Sequence, residues 1–551
     1  MRFVVSNSTF QIPDSKEQFQ LYLWPFADSV RANVASVMCS YNKLNETYAC
    51  ESTDLLNGLL KDELDFQGYV VSDWTAQHTT VNSAIAGLDM SMPGSGFGDR
   101  IYLWGKALLD AVSSGQVPQS RLDDMARRIL ASWYYLGQDT GYPQVKFNSF
   151  NGGAGGPDVQ SNHATVARAI ARDGTVLLKN TNSALPLKKP LSLAIIGADA
   201  IVNPAGPNAC NDRGCDNGTL AMGWGSGTAQ FPYLVGPLDA IKVQAAADGT
   251  KLTTSTADDT TAGTTAAKTA ETAIVFINSD SGEGYITVEG VAGDRNNLDP
   301  WHNGNDLVQA VASVNKKTIV VIHSVGVIIM EQFIDLPNVV AVVWAGIPGQ
   351  ESGNALVDII YGKTNPSGKL PYTIAKSPSD YATNIVQSLD DNYPEGLFID
   401  YRHFDAAGIT PRYEFGYGMS YTVFKYSDLT INYYRKSPAG KSKAPGGIDS
   451  LYHEVATVTA TITNTGSIEG REAAQLYIGL PSSAPSTPSK QLRGFQKVGV
   501  YAGASRKVTF SIRRKDISYW DSASQSWLVP EGEFKVMVGA SSRDIRLSGS
   551  M

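Results

Sequence analysis

The sequence has few of the residue patterns that bind metals, nucleic acids or membranes. It holds only six histidines among 551 residues, and none forms an H-E-x-x-H pair or another metal-ligand spacing. It has no run of five basic residues, and its net charge of −8 argues against binding to a phosphate backbone. No run of 18 apolar residues occurs, so no membrane-spanning helix is predicted. We therefore expect no metal, no cofactor, no nucleic-acid partner and no membrane association.

Cysteine is scarce as well, and the four cysteines fall into two local pairs. Cys39 and Cys50 close one short loop, and Cys210 and Cys215 close another. Each pair fits a disulfide, two reduced thiols or, least well, part of a zinc site, because no histidine lies near either pair. Disulfides would indicate an oxidising compartment. Three acceptor triplets for N-glycosylation point the same way; they begin at Asn7, Asn45 and Asn217.

Composition and periodicity divide the chain into three sections. The first section, residues 1–137, alternates short apolar runs with helical patterns and predicts a parallel sheet. A glycine-rich linker, residues 138–160, leads to the second section, residues 161–376, which alternates again and predicts another α/β layer domain. Residues 377–420 form an ordered crossing segment or a long loop. The third section, residues 421–551, has period-two patterns that are typical of an antiparallel β-sandwich.

Two acidic residues, one in each of the first two sections, stand at positions suited to catalysis. Asp73 directly follows the apolar run Tyr69–Ser72, and the carboxyl ends of strands in a parallel barrel face the active site. Trp74 comes next, and a flat indole can stack on the apolar face of a sugar. Glu283 lies between two glycines just past the run Ala273–Ile277, on sharply turning backbone. Such a loop can present an acid to a neighbouring domain.

This pair matches what glycoside hydrolysis needs. One carboxylate attacks or stabilises the anomeric carbon, and one carboxylic acid protonates the leaving oxygen. The pattern alone also fits two simpler interpretations. Asp73 could cap a helix that begins at Thr75, and Glu283 could be a solvated loop carboxylate.

Seven segments resemble, in the right order, the motifs of glycoside hydrolase family 3, and the likeness is greatest to secreted cellulolytic fungal β-glucosidases. Three of them, Val37–Asn42, Gly68–Trp74 and Gly87–Pro93, resemble the second half of its catalytic barrel. The others resemble the start of its α/β sandwich, its acid/base loop, and the entry to and interior of its fibronectin type III-like domain; they are Ala171–Asn180, Ser281–Tyr285, Phe415–Thr422 and Gly470–Tyr477. The likeness covers essentially the whole chain.

The resemblance implies a multidomain fold, α/β plus all-β. It would comprise the carboxyl-terminal half of a (β/α)₈ TIM-like barrel, an α/β sandwich that carries the acid/base, and a fibronectin type III-like β-sandwich. It implies a retaining β-glucosidase that releases terminal β-D-glucosyl residues from cellobiose, short cello-oligosaccharides or aryl β-glucosides. Asp73 would be the nucleophile and Glu283 the acid/base. The substrate-binding residues would be Tyr41, Trp74, Phe97, Ser226 and Tyr285.

Two alternatives accompany this interpretation. A family 3 β-xylosidase is the nearer one, but those enzymes tend to have cysteine after the nucleophile, where Trp74 stands here. The other follows from the length of the first section, because a full barrel needs about 250 residues. The start of the chain also lacks the pattern of a secretion signal. We thus expect an amino-terminally truncated form of a secreted enzyme, and a catalytically incompetent remnant that only binds carbohydrate or is structural is the competing hypothesis.

Overall fold

The computed structural model describes residues 9–10, 15–95, 102–143, 158–384, 390–434 and 440–551. Within these ranges, no helix is both long and apolar enough to cross a bilayer. The α-helices are Ser15–Glu17, Leu23–Arg31, Val81–Ala86, Lys106–Ser113, Gln119–Tyr135, His163–Gly174, Pro237–Asp248, Thr260–Lys268, Gly304–Val314, Ser352–Ile360 and Tyr401–Ala406, and π-helical turns span Gln18–Tyr22 and Asp54–Glu63.

The described part of the first section is built on two parallel strands. Ser36–Cys39 pairs with Tyr69–Ser72 so that Cys39 lies opposite Ser72. The segment Leu88–Met92, which lies beside them, forms only a single bridge, between Val71 and Met90. The carboxyl ends of the two strands therefore lie side by side, and the residues that follow each strand emerge at one edge.

A buried ion-pair cluster holds this region together. The Asp89 side chain is completely buried and accepts a hydrogen bond from the Val70 amide at 2.8 Å. Lys61 Nζ lies 2.9 Å from one of its carboxylate oxygens, and Arg121 Nη2 lies 2.7 Å from the other. A charge can be buried at tolerable cost only when it is paired and hydrogen-bonded. The cluster therefore ties the helical segments that hold Lys61 and Arg121 to the strand that precedes Asp73.

The second section is a six-stranded sheet covered on both faces. Its strands, in spatial order, are Val176–Asn180, Val339–Trp344, Thr318–Ser324, Thr272–Ser279, Ser192–Ile196 and Lys251–Ser255. All neighbours run parallel except the first pair. Every residue of Thr272–Ser279 is buried. Parallel sheets need both faces covered, which explains why these strands read as near-continuous apolar runs.

The third section consists of two antiparallel sheets packed on one apolar core. One sheet contains Phe424–Tyr433, Glu454–Asn464 and Ser505–Arg513, and the other contains Gln491–Val500, Gly470–Gly479, Lys535–Gly539 and Ile545–Ser550. Val508, Phe510 and Ile512 point into the core at alternate positions, as period two requires. Short antiparallel hairpins lie outside these sheets, one in the second section and two in the third. They are Thr287–Val288 with Val291–Ala292, Lys443–Ala444 with Gly447–Ile448, and Tyr519–Asp521 with Ser526–Leu528.

Residues 377–420, described except for 385–389, cross between the sections. They contain the helix Tyr401–Ala406, and Tyr413 and Met419 form bridges to the second section. Asp390–Asp391 joins a small sheet with Thr9–Phe10, Lys43–Leu44 and Thr47–Tyr48. Apart from this small sheet, the main sheet or sheets of each section lie within the segment predicted for it. The boundaries at residues 137, 160, 376 and 420 stay a prediction.

The third section contacts both of the others. Phe19 of the first section stacks on Trp520 with ring centroids 3.6 Å apart. Arg31 of the first section pairs with Asp449 at 2.9 Å. On the other side, Arg471 Nη1 donates to Asp173 of the second section at 2.9 Å. The third section is thus placed to fix the other two relative to each other.

Candidate active site

Asp73 lies at the carboxyl end of its strand, beside the end of the neighbouring strand. Its amide donates to the carbonyl of Cys39 at 3.0 Å. The backbone then turns sharply, with Thr75 in the left-handed region at φ 66°, and the next helix begins only at Val81. Asp73 therefore does not cap a helix at Thr75. Its Oδ1 accepts from the Trp74 amide at 2.6 Å, which fixes the carboxylate within the turn.

Tyr41 is the second contact of this carboxylate. Its hydroxyl donates to Asp73 Oδ1 at 3.0 Å. Burial, this hydrogen bond and the charge of Asp73 raise the pKa of Tyr41 to about 12, and the charge of Glu283 adds to the rise. The hydroxyl therefore remains a protonated donor at any physiological pH. The same observation brings the two sections together, because Glu283 is close enough to Tyr41 to affect its ionisation.

Glu283 lies in a loop that is shaped by glycines and by a neighbouring turn. Gly282 forms a parallel bridge with Trp224, and a Cβ at Gly282 would lie 2.2 Å from the Trp224 carbonyl oxygen. Gly225, at φ 129°, lies directly against the Glu283 side chain. Only glycine allows these close approaches. The indole nitrogen of Trp224 also donates to the Glu283 carbonyl at 3.0 Å, which fixes the loop from the opposite side.

The Ser226 hydroxyl donates to Glu283 Oε1 at 2.5 Å. The sequence predicts that Ser226 contacts the sugar, and the structure places its hydroxyl on the proposed acid/base. Ser226 can contact both groups if its hydroxyl bridges the Glu283 carboxyl and the sugar. It can also contact them in turn, if the hydroxyl leaves Glu283 and turns to the sugar when the substrate binds. Ser226 is exposed, so a substrate could reach it.

The predicted aromatic walls lie at the surface of the first two sections. The side chains of Trp74 and Tyr285 are 46% and 58% exposed, which leaves broad apolar faces available for a sugar. The Tyr285 hydroxyl donates to Asp212 Oδ2 at 2.9 Å, which orients the ring. Phe97, the third predicted wall, lies outside the described residues.

Both cysteine pairs are joined as disulfides, at the edges of this region. Cys39–Cys50 starts at the strand end whose carbonyl accepts from Asp73, and Cys210–Cys215 closes a loop around Asp212. The Asp212 carbonyl in turn accepts from the Gly225 amide at 3.0 Å, so this loop supports the turn that holds Glu283. Of the predicted glycosylation sites, Asn45 and Asn217 are exposed, and Asn7 lies outside the described residues.

Three residues of this site were missed by sequence reasoning: Asp212, Trp224 and Asp280. Asp280 is buried two residues before Gly282, and burial raises the pKa of its carboxyl to about 8. Two features of the sequence could have pointed to Asp212 and Trp224: the small Cys210–Cys215 loop, which contains Asp212, and the glycine-rich turn that contains Trp224. Neither signal shows which side chain reaches Glu283.

Comparison with known proteins supplies the family. Residues 7–132 match the glycosyl hydrolase family 3 N terminal domain, and residues 175–421 match the glycosyl hydrolase family 3 C-terminal domain. Residues 472–542 match the fibronectin type III-like domain. A probable beta-glucosidase L of Aspergillus fumigatus is 64% identical over 534 residues, which cover 96% of this chain and 72% of that protein. The chain belongs to glycosyl hydrolase family 3. It is therefore a glycoside hydrolase by family, and the predicted combination of a TIM-like part, an α/β part and a fibronectin type III-like part is confirmed.

Other family 3 members agree in sequence and in fold. Beta-glucosidase cel3A of Pyricularia oryzae is 56% identical, over 98% of this chain and 73% of that protein. The crystal structure of beta-glucosidase D2-BGL from Chaetomella raphigera superimposes on this fold with a TM-score of 0.97. The two sequences are 65% identical, and the match covers 99% of this chain and 76% of that one. Beta-D-glucoside glucohydrolase from Trichoderma reesei is 57% identical with a TM-score of 0.95, covering 100% and 78%.

Proposed function

We propose that this protein is a retaining β-glucosidase with Asp73 as nucleophile and Glu283 as acid/base. The observation that carries the proposal is the hydrogen bond of the Tyr41 hydroxyl to Asp73 at the carboxyl end of the strand, where the charge of Glu283 from the second section also raises the pKa of Tyr41. Retaining hydrolysis needs two carboxyl groups on either side of one glycosidic bond. The names of the family 3 relatives support glucose as the sugar that is released.

The hydrogen bonds of Asp73 select the attacking atom. Both bonds that its carboxylate accepts from described residues, from Tyr41 and from the Trp74 amide, fall on Oδ1. Oδ2 then attacks the anomeric carbon while Glu283 donates its proton to the leaving oxygen. A covalent glucosyl-enzyme forms and the alcohol departs. Glu283, now ionised, removes a proton from water, which attacks the anomeric carbon and releases both glucose and Asp73.

The surrounding residues would position the sugar. Trp74 and Tyr285 supply flat faces for the glucose and for the group that leaves, and the family resemblance proposes Phe97 as a third. Tyr41 orients the nucleophile and contacts the bound glucose. Ser226 orients Glu283 in the free protein and contacts the sugar when it binds. The substrate is accordingly a small oligosaccharide or an aryl glucoside.

The nucleophile can be tested with 4-nitrophenyl β-D-glucoside and with Asp73→Asn. Loss of the attacking group lowers kcat by roughly 10⁴-fold or more. A 2-deoxy-2-fluoro-glucoside should leave a covalent sugar on the peptide that contains Asp73, read by mass spectrometry. Asp110→Asn, an exposed aspartate on a helix of the same section, is the matched control and should retain full activity. Full turnover in Asp73→Asn, or a sugar attached elsewhere, would refute the assignment.

The acid/base can be tested separately with Glu283→Ala. An activated aryl glucoside needs little help from an acid, so its first step should survive while release of glucose slows. Added azide should then restore turnover and yield β-glucosyl azide. Without rescue by azide, Glu283 would not be the acid/base.

The same assays separate the alternatives. A β-xylosidase would prefer 4-nitrophenyl β-xyloside, whereas we expect the glucoside to be cleaved at least about 10-fold faster, because a site that hydrogen-bonds a sugar hydroxymethyl group rejects the analogue that lacks it. A catalytically incompetent protein would show no turnover above that of Asp73→Asn.

We also propose that the protein acts outside the cell as a glycoprotein. Two disulfides and the exposed Asn45 and Asn217 support this location. Treatment of the protein from its native source with an endoglycosidase should lower its mass. Peptide mapping should then place the former glycans on Asn45 and Asn217. Unmodified asparagine at both positions would contradict the proposal.

A further inference from the structure

A histidine of the second section is surrounded by carboxylates from three other segments. His302 Nδ1 lies 3.1 Å from Asp258 Oδ2. Its Nε2 lies 3.0 Å from Glu289 Oε2 and 3.3 Å from Asp216 Oδ2. The spacing of histidines in the sequence gives no hint of this group, because the four residues come from separate loops.

One carboxylate oxygen of this group is buried without a hydrogen bond. The Asp216 side chain is only 2% exposed. Its Oδ1 accepts from Asn278 Nδ2 at 3.1 Å, but its Oδ2 has no hydrogen-bond partner among the described residues. His302 Nε2 carries at most one hydrogen, which Glu289 Oε2 accepts at 3.0 Å. A buried, unsatisfied carboxylate oxygen that faces a nitrogen and a second carboxylate is costly without a further partner.

We propose that Asp216, Glu289 and His302 bind a divalent cation of the Zn²⁺ type. Their ligand atoms all lie within 4.8 Å of one another. The measured separations of 3.0 and 3.3 Å resemble the edge of a tetrahedron, about 3.3 Å, around a zinc ion with bonds of about 2.0 Å. A mixture of imidazole nitrogen and carboxylate oxygen suits Zn²⁺ better than Ca²⁺ or Mg²⁺, which prefer oxygen ligands alone.

Asp258 completes the arrangement from the far side of the ring. A histidine that binds a metal usually donates its other N–H to a carboxylate, which fixes the tautomer and the orientation of the ring. Asp258 Oδ2 lies at that position on Nδ1. In the metal-bound form it would accept the Nδ1 hydrogen, which would leave the lone pair of Nε2 directed toward the ion. Asp258 Oδ1 is itself held by the Ala198 amide at 2.9 Å.

The site is reachable from solvent. Glu289 and His302 line a cavity of about 430 Å³ together with Trp301 and Asn303. This opening provides an entry path for the ion and room for a water molecule as a fourth ligand.

A bound cation would tie together two loops near Glu283. Glu289 lies between the paired strands Thr287–Val288 and Val291–Ala292, a hairpin that directly follows the Glu283 loop. Asp216 follows the disulfide Cys210–Cys215. Binding should therefore rigidify residues 283–292, and this expectation does not depend on the catalytic role of Glu283.

Calorimetry with Zn²⁺ on the chelator-treated protein tests the site. We expect one ion per chain, bound with micromolar or tighter affinity, and slower amide hydrogen exchange in residues 283–292 when the ion is present. Glu289→Gln, a change at a half-exposed hairpin residue, should weaken binding by at least about 100-fold, since it removes a ligand. Asp258→Asn should weaken it by about 10- to 100-fold.

Controls make the outcome decisive. Glu533→Gln, an exposed carboxylate of the third section, should bind Zn²⁺ like the unaltered protein. Circular dichroism and the melting temperature in the presence of chelator should show that each variant is folded. Absence of stoichiometric binding would overturn the proposal, and so would binding that survives Glu289→Gln unchanged. In either case His302 would be an imidazolium that forms ion pairs with its carboxylates.

Discussion

Asp89 offers the sharpest test of how the fold supports the proposed nucleophile. Its carboxylate is fully buried and holds Lys61 Nζ at 2.9 Å and Arg121 Nη2 at 2.7 Å. It also accepts the amide of Val70, three residues before Asp73. The change Asp89→Asn keeps the shape of the side chain, removes its charge and replaces one acceptor oxygen with an NH₂ donor.

The size of the destabilisation expected for Asp89→Asn follows from the burial of Lys61 and Arg121. Lys61 and Arg121 have side chains only 8% and 13% exposed. Lys61 would remain in a low-dielectric site without the carboxylate that it pairs with, whereas Arg121 would keep its ion pair with Asp124 at 2.9 Å. Breaking such a buried pair costs about 3–5 kcal/mol. Burial already lowers the pKa of Lys61 to about 8 while Asp89 is charged. Without that charge Lys61 loses its proton more readily, so we expect the lower end, about 3 kcal/mol.

Amide hydrogen exchange measures this effect where it arises. In a protein of three packed sections a single unfolding free energy is not defined, so the local opening of Tyr69–Ser72 is the better quantity. A loss of about 3 kcal/mol makes exchange roughly 100-fold faster. Glucoside hydrolysis should fall as well, because Asp73 extends from this strand.

A surface pair provides the control. Asp110 pairs with Lys106 on a helix of the same section, but their side chains are 61% and 84% exposed. Asp110→Asn should therefore cost less than about 1 kcal/mol. If Asp89→Asn accelerates exchange of Tyr69–Ser72 no more than Asp110→Asn does, the argument from burial is wrong.

Three further predictions concern the same region. Tyr41→Phe removes the hydroxyl that donates to Asp73. Because a hydrogen bond to a charged group contributes about 1.5–3 kcal/mol, kcat/KM for an aryl glucoside should fall by about 10- to 100-fold. An unchanged kcat/KM would contradict this prediction. Replacing Cys39 and Cys50 by serine removes a bond across 11 residues and should cost about 3 kcal/mol, seen as a lower melting temperature. An unchanged melting temperature would contradict this expectation. Lys61→Met should change how stability depends on pH, because burial lowers the pKa of Lys61 from 10.5 to about 8. Between these two pH values the unfolded chain still holds the proton that the folded protein has lost. The free energy of unfolding of the unaltered protein should therefore rise by up to about 3 kcal/mol relative to the variant as pH rises from about 8 to 10.5. Melting curves of both proteins at neutral and alkaline pH measure this, and a constant difference would refute it.

Much of the architecture could be predicted from the sequence because burial controls it. Strands such as Thr272–Ser279 are covered on both faces, so they read as continuous apolar runs. Strands such as Ser505–Arg513 have one face in a core, so they alternate. Leu88–Met92 shows where this signal weakens. Its second residue is the buried Asp89, and the backbone forms one bridge instead of a strand.

The chemistry was less accessible, because side-chain partners depend on how loops meet in space. Asp73 and Glu283 could be named from motifs, but the hydrogen bond from Ser226 to Glu283 could not. Asp212 could not be found either, since it acts on the site through its backbone carbonyl and through Tyr285. Sequence fixes neither the path of these loops nor the distance between them.

The division of the site between two sections also explains what the third section contributes. Among the described residues, Asp73 is oriented by the first section, through Tyr41 and the carbonyl of Cys39. Within the same part of the chain, Glu283 is oriented by the second section, through Trp224 and Ser226. Each carboxylate is therefore preorganised on its own side, and only the packing of the sections sets the distance across which they act.

The third section contacts both of the others, so we expect it to influence how they pack. It holds the first section through the stack of Trp520 on Phe19, and the second through the pair of Arg471 with Asp173. A small misplacement of reacting groups is enough to lower a rate by about 100-fold. Loosening of the third section should therefore reduce hydrolysis while both carboxylates keep their local hydrogen bonds, and we expect the β-sandwich to affect catalysis only through the geometry that it sets.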